Sequence, residues 1–191
     1  MKQRVFHPET VKRILVIRLY FIGDMLLSTP ALAALRDTFP DASITVLLKE
    51  RARDVLVGNP DVDELIIYDA VPRYHSPAWT WRLGALLRRR RFDLAVDLTG
   101  DLRSSWALFV ADPGYRVGVN RVGLGRLLDR RVPYRSEGHV VDHLLDAVGL
   151  AGAKTERTEP RMYLSDAERE AARSLSGDEP YLAMAPGAQR S

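Results

Sequence analysis

The chain has no cysteine among its 191 residues, which excludes disulfide bonds and thiolate metal ligands. Aromatic residues are few, at 8%. They are not interleaved with basic residues, and no helix-turn-helix pattern is present, so a nucleic-acid partner is not expected. No apolar run approaches the length of a membrane span, and the start at Met1 lacks a signal-peptide pattern. We therefore expect a cytoplasmic protein.

Hydrophobic residues, in contrast, make up 46% of the chain, which is enough to bury a full core. The length suits one large domain, or one domain plus the beginning of another. The net charge is +3, and most of the basic residues are arginine. This excess gives a mild preference for anionic partners such as phosphate or lipid head groups.

Short apolar runs alternate with segments whose apolar residues have helical spacing. We predict strands at 13–17, 43–48, 64–68, 94–97, 117–119 and 181–185, and helices over 25–35, 49–58, 78–90, 103–111, 139–148 and 166–175. Segment 120–131 is predicted as a loop with a helical turn. The inner face of the helix over 78–90 is predicted to contain Trp79, Leu83, Leu86 and Leu87. This alternation predicts an α/β fold with a Rossmann-like, doubly wound, mostly parallel sheet.

The first predicted strand is joined to the next helix by a turn that contains Gly23 and Asp24. Open α/β sheets bind ligands at the carboxyl ends of their strands, so Asp24 is a candidate catalytic residue. It can act as a general base at the edge of a cleft, or it can only cap the following helix. We predict that Gly23 provides a positive φ or a close backbone approach. A dinucleotide site is not expected, because the fingerprint needs three glycines and Asp24 would repel a pyrophosphate.

A second polar segment follows the fourth predicted strand. Asp97 ends that strand and Arg103 begins the next helix, so both can face the same crevice as Asp24. Arg103 can bind a carboxylate or a phosphate through two parallel hydrogen bonds, or it can be a solvated surface residue. Arg51 and Arg53, after the second strand, support the same interpretation more weakly.

His139 and His143 lie one helical turn apart and imitate a zinc-binding helix. Apolar residues surround them, the acid is Asp142 instead of the glutamate of that motif, and no third ligand is evident. We therefore expect no metal. His139 is a candidate for a position near the cleft.

The helix over 78–90 ends in four consecutive arginines, Arg88, Arg89, Arg90 and Arg91. These can be a solvated helix terminus, where the helix dipole favours cations. With Trp79 and Trp81 nearby, they can also make peripheral contact with an anionic membrane leaflet.

Several blocks together resemble one known family, and they occur in order along nearly the whole chain. The blocks are Gly23-Asp24, Thr29-Pro30-Ala31-Leu32, Phe39-Pro40-Asp41, Asn59-Pro60, the segment 92–98 and Ala185-Pro186-Gly187-Ala188. Their order and spacing resemble the ADP-heptose:lipopolysaccharide heptosyltransferases, glycosyltransferase family nine, which have the two-domain GT-B fold. The resemblance implies that 1–160 form the N-terminal, Rossmann-like acceptor-binding domain. It implies that 161–191 form a linker helix and the first strand of a truncated donor-binding domain.

The same resemblance implies an activity. It implies inverting transfer of a sugar from a nucleotide-sugar donor such as ADP-heptose to a lipopolysaccharide-core-type glycolipid acceptor, with no cofactor and no metal. The location implied is cytoplasmic, at the inner face of the inner membrane. In this scheme the catalytic base is Asp24, the acceptor contacts are Gly23, Arg51, Arg53, Asp97 and Arg103, and the donor contacts are Gly187 and Ala188.

The family's donor motifs, a Lys-Arg-Trp-Pro-like segment and a later Asp-Thr-Gly, do not occur before Ser191. We therefore expect this chain to be inactive alone. The alternative interpretation is a non-catalytic acceptor-binding or interaction domain, either a natural truncation or an expression fragment.

Overall fold

The computed structural model describes residues 4–68, 77–121 and 125–176, with only the backbone described at 77–80 and 176. The strands are β1 (Arg13–Arg18), β2 (Ser43–Leu48), β3 (Glu64–Ile67), β4 (Leu94–Asp97), β5 (Tyr115–Asn120) and β6 (Arg130–Pro133). The α-helices are α1 (Ile22–Leu26), α2 (Thr29–Thr38), α3 (Pro77–Arg89), α4 (Leu102–Ala111), α5 (Val140–Gly149) and α6 (Asp166–Ser176). Short 3-10 helices cover Pro8–Thr10, Glu50–Val55 and Gly125–Leu127. The predicted Rossmann-like α/β fold is confirmed.

The strands form one sheet in the order β3-β2-β1-β4-β5-β6, and every neighbouring pair is parallel. β1 is central and apolar on both faces. Ile14 and Val16 belong to the core layer that includes α2 and α5, while Leu15 and Ile17 belong to the layer that includes α3 and α4. A strand covered by helices on both sides needs such a continuous apolar run, which is the pattern that the sequence shows.

The order of strand addition reverses between β1 and β4. β2 and β3 lie on one side of β1, and β4, β5 and β6 lie on the other. β1 pairs with β4 from Ile14 opposite Leu94 to Ile17 opposite Asp97, so both strands end at the same edge. The connections that follow these strands leave in opposite directions and open a crevice, where α/β sheets bind ligands.

The single helix predicted after the first turn is in fact two helices, α1 and α2. Ser28 Oγ donates to the Met25 carbonyl at 2.6 Å, and Thr29 Oγ1 donates to the Leu26 carbonyl at 2.8 Å. These hydroxyls satisfy carbonyls at the end of α1, and Pro30 in the first turn of α2 has no N–H to continue the helical ladder. The break between α1 and α2 was not predicted, because the helical spacing of apolar residues continues through it.

Two further expectations were wrong in part. Segment 120–131 was predicted as a loop with a helical turn, and the 3-10 helix Gly125–Leu127 confirms the turn. The segment also contains the start of β6, an edge strand in which arginine and proline are tolerated, which was not predicted. Leu86, predicted on the inner face of α3, is 47% exposed, whereas Leu83 and Leu87 are buried.

The segment after α5 returns along α2. Arg157 Nη1 donates to both carboxylate oxygens of Asp61 at 3.0 Å, and Arg157 Nη2 pairs with Asp37 at 2.5 Å. The backbone N–H of Arg161 donates to Thr29 Oγ1 at 3.0 Å. This segment therefore starts in the apolar core, where Ala151 and Ala153 are buried, and its continuation from Arg157 to Arg161 is held by polar contacts.

The predicted domain boundary at residue 160 stays a prediction. The predicted strand 181–185 and the side chain of Trp79 lie outside the described residues. In the ranges that the structure describes, no helix has the length and apolar character to cross a membrane.

Candidate active site

A cavity of about 250 Å³ opens at the carboxyl ends of β1, β4 and β5. Its walls come from the ends of these strands, the segments that follow them, and α5. The lining residues are Arg18, Tyr20, Phe21, Asp24, Leu98, Thr99, Val119, Arg121, Tyr134, Val140, His143 and Leu144. The cavity occupies the crevice that the strand order predicts.

Asp24 lies in the first turn of the short helix α1 and faces this cavity. Phe21, not Asp24, holds the N-cap position, and no side chain makes a capping hydrogen bond there. The Asp24 side chain is 41% exposed. The interpretation of Asp24 as a helix cap is therefore wrong, and its carboxylate is accessible from the cavity.

Arg18, the last residue of β1, fixes the position of Asp24. Its side chain is only 5% exposed, with Nη2 at 3.4 Å from Asp24 Oδ1 and Nε donating to the Asp24 carbonyl at 3.4 Å. Nη1 donates to the carbonyl of Leu98 at the end of β4. Burial lowers the pKa of the Arg18 guanidinium, and the Asp24 carboxylate is the largest opposing influence. One guanidinium thus links the two strands that border the crevice to the candidate base.

A stack of guanidinium groups and tyrosine rings forms another wall. The Cζ of Arg18 lies 4.8 Å from the Tyr20 ring centroid, and the Cζ of Arg121 lies 5.7 Å from the same centroid. Arg121 also lies 4.9 Å from the Tyr134 ring, and its Nη1 donates to the Tyr20 hydroxyl at 2.5 Å. Within the described residues Arg121 forms no ion pair with a carboxylate. It therefore presents a cation to the cavity.

His143 on α5 contributes a neutral polar group to the cavity. Neither ring nitrogen has a hydrogen-bond partner among the described residues, and the ring meets the Tyr134 ring edge-on at 5.9 Å. Burial and then the charge of Arg135 lower the pKa of His143, which favours the uncharged ring. The sequence favoured His139 for the cleft, but His139 is the exposed N-cap of α5, where its Nδ1 accepts from Val141 N at 3.3 Å.

Asp97 lies behind the cavity wall and does not line it. It is completely buried, and its Oδ1 accepts from the N–H groups of Thr99 and Gly100 at 2.9 Å. Its Oδ2 accepts from the hydroxyls of Ser104 and Ser105 at 2.8 and 3.3 Å. Burial raises the pKa of Asp97 to about 6, although the hydrogen bonds oppose this. The residue predicted to contact the acceptor instead organises the turn from β4 to α4.

Arg103 lies at the exposed start of α4, where its Nη2 is 3.4 Å from Asp101 Oδ2. Asp101 is the N-cap of that helix and accepts from Ser104 N at 2.8 Å. Arg103 does not line the cavity, so its contact with an acceptor stays a prediction.

Arg51 and Arg53 lie in the 3-10 helix Glu50–Val55, outside the cavity lining. The Cζ of Arg51 is 5.5 Å from the ring centroid of Phe21, which does line the cavity. Arg53 pairs with Asp54 at 3.9 Å. Arg51 is therefore adjacent to the rim through Phe21, and Arg53 is one step further away.

Gly23 is exposed, and it is not among the glycines with positive φ in the described part of the chain. The expectation of a positive φ was therefore wrong. A Cβ at this position would meet nothing within 4 Å, so the space beside it is open. The predicted donor contacts, Gly187 and Ala188, lie outside the described residues.

The sequence analysis did not assign several residues that the fold brings together, namely Arg18, Tyr20, Thr99, Arg121, Tyr134 and His143. Arg121 directly follows β5, so the rule that selected residues at the ends of the first, second and fourth strands would have selected it too. Tyr134 had no such signal, because β6 was not predicted. His143 was noticed only as part of the zinc-like pair, and its ring enters the cavity lining from α5.

Residues 4–68, 77–121 and 125–176 contain no group of three or more His, Asp or Glu side chains that could hold a metal ion. The two histidines of the zinc-like pattern have different roles. His139 is the N-cap of α5, and His143 lies within α5 and lines the cavity.

The fold and the cavity define a Rossmann-like domain with an accessible carboxylate and a cationic wall at its crevice. The chain belongs to glycosyltransferase family 9, the heptosyltransferase family, whose sequence model matches residues 80–191. The predicted resemblance is confirmed.

Each alignment with a relative covers a larger share of this chain than of the relative. A lipopolysaccharide heptosyltransferase 2 from Salmonella typhimurium is 29% identical over 194 residues, covering 93% of this chain and 54% of the relative. A lipopolysaccharide heptosyltransferase 3 from Escherichia coli is 37% identical over 81 residues, 41% of this chain and 24% of the relative. The chain thus spans about half the length of the heptosyltransferase 2 that it matches.

Solved structures agree on the fold. A glycosyl transferase family 9 protein from Veillonella parvula superposes with a TM-score of 0.73 at 21% identity, over 87% of this chain and 50% of that chain. The E. coli ADP-heptose lipopolysaccharide heptosyltransferase II gives 0.69 at 24% identity, over 86% and 50%. The chain therefore has the fold of one half of a GT-B glycosyltransferase, as predicted.

Proposed function

We propose that this chain is the acceptor-binding half of an inverting glycosyltransferase. In the proposed reaction a sugar passes from a nucleotide-sugar donor to an acceptor of the lipopolysaccharide-core type. Membership of family 9 and the names of the relatives support the reaction class. The observation that carries the proposal is the accessible carboxylate of Asp24 in a cavity at the crevice of the sheet.

In the proposed mechanism Asp24 is the general base. Its carboxylate accepts the proton of the acceptor hydroxyl while that oxygen attacks the anomeric carbon of the donor. A new glycosidic C–O bond forms as the C–O bond to the diphosphate breaks on the opposite face, and this inverts the anomeric configuration. Arg18 supports the step by holding the short helix α1, and with it Asp24, against the end of β4.

The remaining cavity groups suit a charged, hydroxyl-rich acceptor. Arg121 faces the cavity without a carboxylate partner in the described residues, so a phosphate or carboxylate of the acceptor can occupy that place. The neutral His143 offers one donor and one acceptor nitrogen to sugar hydroxyls. Gly23, Arg51, Arg53 and Arg103 remain proposed contacts at and beyond the rim.

The proposed donor is a nucleotide sugar such as ADP-heptose, which appears in the name of the E. coli relative. Gly187 and Ala188 are proposed to contact it, and cationic side chains and helix termini would stabilise the departing diphosphate without a metal. The acceptor is a glycolipid, and we place the protein in the cytoplasm at the inner face of the membrane that carries it.

A second candidate function is binding of the acceptor without catalysis of transfer. The cavity supports it, since Arg121 and the neutral His143 can bind an acceptor whether or not a donor is used. The two functions share the cavity and differ only in whether a donor is used.

The test compares two carboxylates in the protein that carries this chain. Asp24→Asn is expected to lower the rate of sugar transfer from ADP-heptose to a heptose-deficient core acceptor by about 10²- to 10⁴-fold, since it removes the general base. Asp41→Asn is the matched control, because Asp41 is exposed and does not line the cavity. Circular dichroism checks that both variants are folded.

Unchanged transfer by Asp24→Asn would remove Asp24 from the mechanism. Acceptor binding without donor binding or transfer would favour the binding-domain function. Loss of transfer in Asp24→Asn with acceptor binding retained is the result expected for a base.

A further inference from the structure

The outer surface of α3 and α4 carries an exposed apolar patch. Its members are Trp81 and Leu86 on α3 and Leu102, Trp106 and Phe109 on α4, and we call them the α3/α4 patch. Trp81 is 56% exposed, Leu86 47%, Leu102 61% and Phe109 40%. The rings of Trp81 and Trp106 meet edge-on at 6.1 Å, and Trp106 and Phe109 lie 5.5 Å apart. These contacts join the rings of Trp81, Trp106 and Phe109 into one aromatic surface, and Leu86 and Leu102 are further exposed apolar residues on the same two helices.

Arginines border this patch. Arg82, Arg88 and Arg89 are exposed on α3, one or two helical turns from Trp81 or Leu86. Arg88 lies 3.7 Å from Asp112, and Arg82 and Arg89 form no ion pair with a described carboxylate. Among the described residues, Arg82 and Arg89 therefore add positive charge on the α3 side of the patch, while Asp112 offsets the charge of Arg88.

The other part of the arginine run has a structural role. Arg90 pairs with Glu64 at the start of β3, and its carbonyl accepts from Arg13 Nη1 at 3.2 Å. Only Arg88 and Arg89 of the four consecutive arginines lie within α3, so these two, and not Arg90, are considered part of the patch border.

The segment that follows α5 does not cover this surface. It lies along α2, where Arg157 bonds Asp37 and Asp61. α2 and α5 belong to one core layer of the sheet, and α3 and α4 belong to the opposite layer. The part of this segment that the structure places along α2 therefore lies on the opposite side of the sheet from the α3/α4 patch.

We propose that the α3/α4 patch docks this chain onto an anionic lipid bilayer. Tryptophan has an apolar ring and a polar N–H, and the ring settles at the level of lipid head groups. Arginine buries its aliphatic stem along apolar surface and keeps its guanidinium at anionic head groups. A bilayer is the partner that meets both features at once. The inference rests on the proposed function, since a glycolipid acceptor is presented at a membrane surface.

The experiment measures binding of the 191-residue chain to vesicles. Vesicles of phosphatidylethanolamine and phosphatidylglycerol are compared with vesicles of phosphatidylcholine by co-sedimentation. Two of the three tryptophans of the chain, Trp81 and Trp106, belong to the patch, and Trp79 also lies on α3. A blue shift of tryptophan fluorescence therefore reports insertion of these helices. We expect binding and a blue shift with the anionic vesicles only, decreasing as salt is added.

Paired variants separate the two features. Trp81→Ala with Phe109→Ala is expected to weaken partitioning about tenfold or more through lost apolar contact. Arg82→Gln with Arg89→Gln is expected to weaken it about 25-fold, or about fivefold for each arginine. The matched controls are Met162→Ala with Leu175→Ala and Arg126→Gln with Arg130→Gln, which remove exposed apolar groups and equal charge elsewhere. These controls are expected to stay within about twofold of the parent chain.

Equal binding to phosphatidylcholine, no vesicle binding at all, or an equal loss in the controls would each overturn the proposal. A concentration-dependent dimer that the Trp81 and Phe109 substitutions abolish, without vesicle binding, would assign the patch to a second copy instead. None of these outcomes depends on sugar transfer, so membrane docking and the proposed activity can fail separately.

Discussion

The guanidinium of Arg18 lies 3.4 Å from the carboxylate of Asp24 and bonds the carbonyl of Leu98 with another of its nitrogens. This one side chain joins the helix that carries the candidate base to the end of β4. The first prediction concerns the loss of that link.

Arg18→Met is expected to lower the free energy of unfolding by about 1–3 kcal/mol, because it leaves the buried Leu98 carbonyl without a donor. Urea denaturation measures this change. Arg126→Met, on the exposed surface near β6, serves as control and is expected to have little effect. Arg18→Lys keeps the charge but cannot bridge both partners, so it is expected to lower the transfer rate and alter its pH profile with less loss of stability. Stability unchanged in Arg18→Met would contradict the structural role of the link.

The second prediction compares Arg103, which the sequence suggested as the acceptor contact, with Arg121, which lines the cavity. Arg121→Gln is expected to weaken acceptor binding by about tenfold or more, since a charge-assisted hydrogen bond is lost. Arg103→Gln, outside the cavity lining, is expected to change it by less than about threefold. Isothermal titration with a phosphorylated or carboxylated core oligosaccharide measures both. The reverse order would restore Arg103 as the acceptor contact.

The third prediction is a pH dependence of stability caused by Asp97. Its pKa is raised by burial to about 6 from an ordinary value of 3.8. Between these values the folded state binds more protons than the unfolded state, so the contribution of Asp97 to the free energy of unfolding falls as the pH rises. The full change is roughly 3 kcal/mol for a shift of this size.

Asp97→Asn removes this titration and can still accept the N–H bonds of Thr99 and Gly100 through its amide oxygen. Its stability relative to the parent chain is therefore expected to increase from about pH 4 to about pH 7. Asp97→Ala leaves the two N–H groups without a partner and is expected to be destabilised at both pH values. Urea unfolding of all three proteins at the two pH values tests this, and a constant difference between Asp97→Asn and the parent would show that Asp97 does not titrate in this range.

The fourth prediction concerns the bridge that holds the segment after α5. Arg157→Met leaves the carboxylate of Asp61, which is 6% exposed, without its bidentate partner. The free energy of unfolding is expected to fall by about 2 kcal/mol. Adding Asp61→Asn to Arg157→Met is expected to recover part of this loss, because the unpaired charge is removed. An additive loss in the double variant would argue against the ion pair.

The same bridge gives a pH effect of opposite sign to that of Asp97. The hydrogen bond from Arg157 lowers the pKa of Asp37. This contribution to stability is present above the ordinary pKa of 3.8 and is lost as the pH falls through the folded pKa. As this contribution is lost, the segment after residue 150 is expected to be cleaved faster. Limited proteolysis at decreasing pH measures the rate of that cleavage.

The order of elements could be predicted from the sequence because buried parallel strands and their covering helices have different periods. β1, β2 and β4 are short apolar runs, and each begins and ends close to its predicted position. β6 could not be predicted in this way. Its residues, Arg130 to Pro133, are mostly polar, and their strand conformation depends on pairing with β5.

Asp24 could be placed at the crevice from the sequence because it follows the first strand directly. The other members of the site depend on three-dimensional proximity. Arg121 and Tyr20 are 101 residues apart in the chain yet share a hydrogen bond of 2.5 Å. Asp97 was selected correctly as a residue at the end of a strand, but its buried role was not predicted. That role depends on hydrogen bonds from the two serines of α4.

The stack of Arg18, Tyr20, Arg121 and Tyr134 has a consequence for the thermodynamics of ligand binding. An arginine that is ordered only when its ligand arrives loses about 0.5–1.5 kcal/mol of rotamer entropy at that moment. Arg121 is already held between two rings and a hydroxyl, so most of this freedom is absent before any ligand enters. Substituting both tyrosines by leucine should therefore make acceptor binding entropically less favourable while its enthalpy changes little.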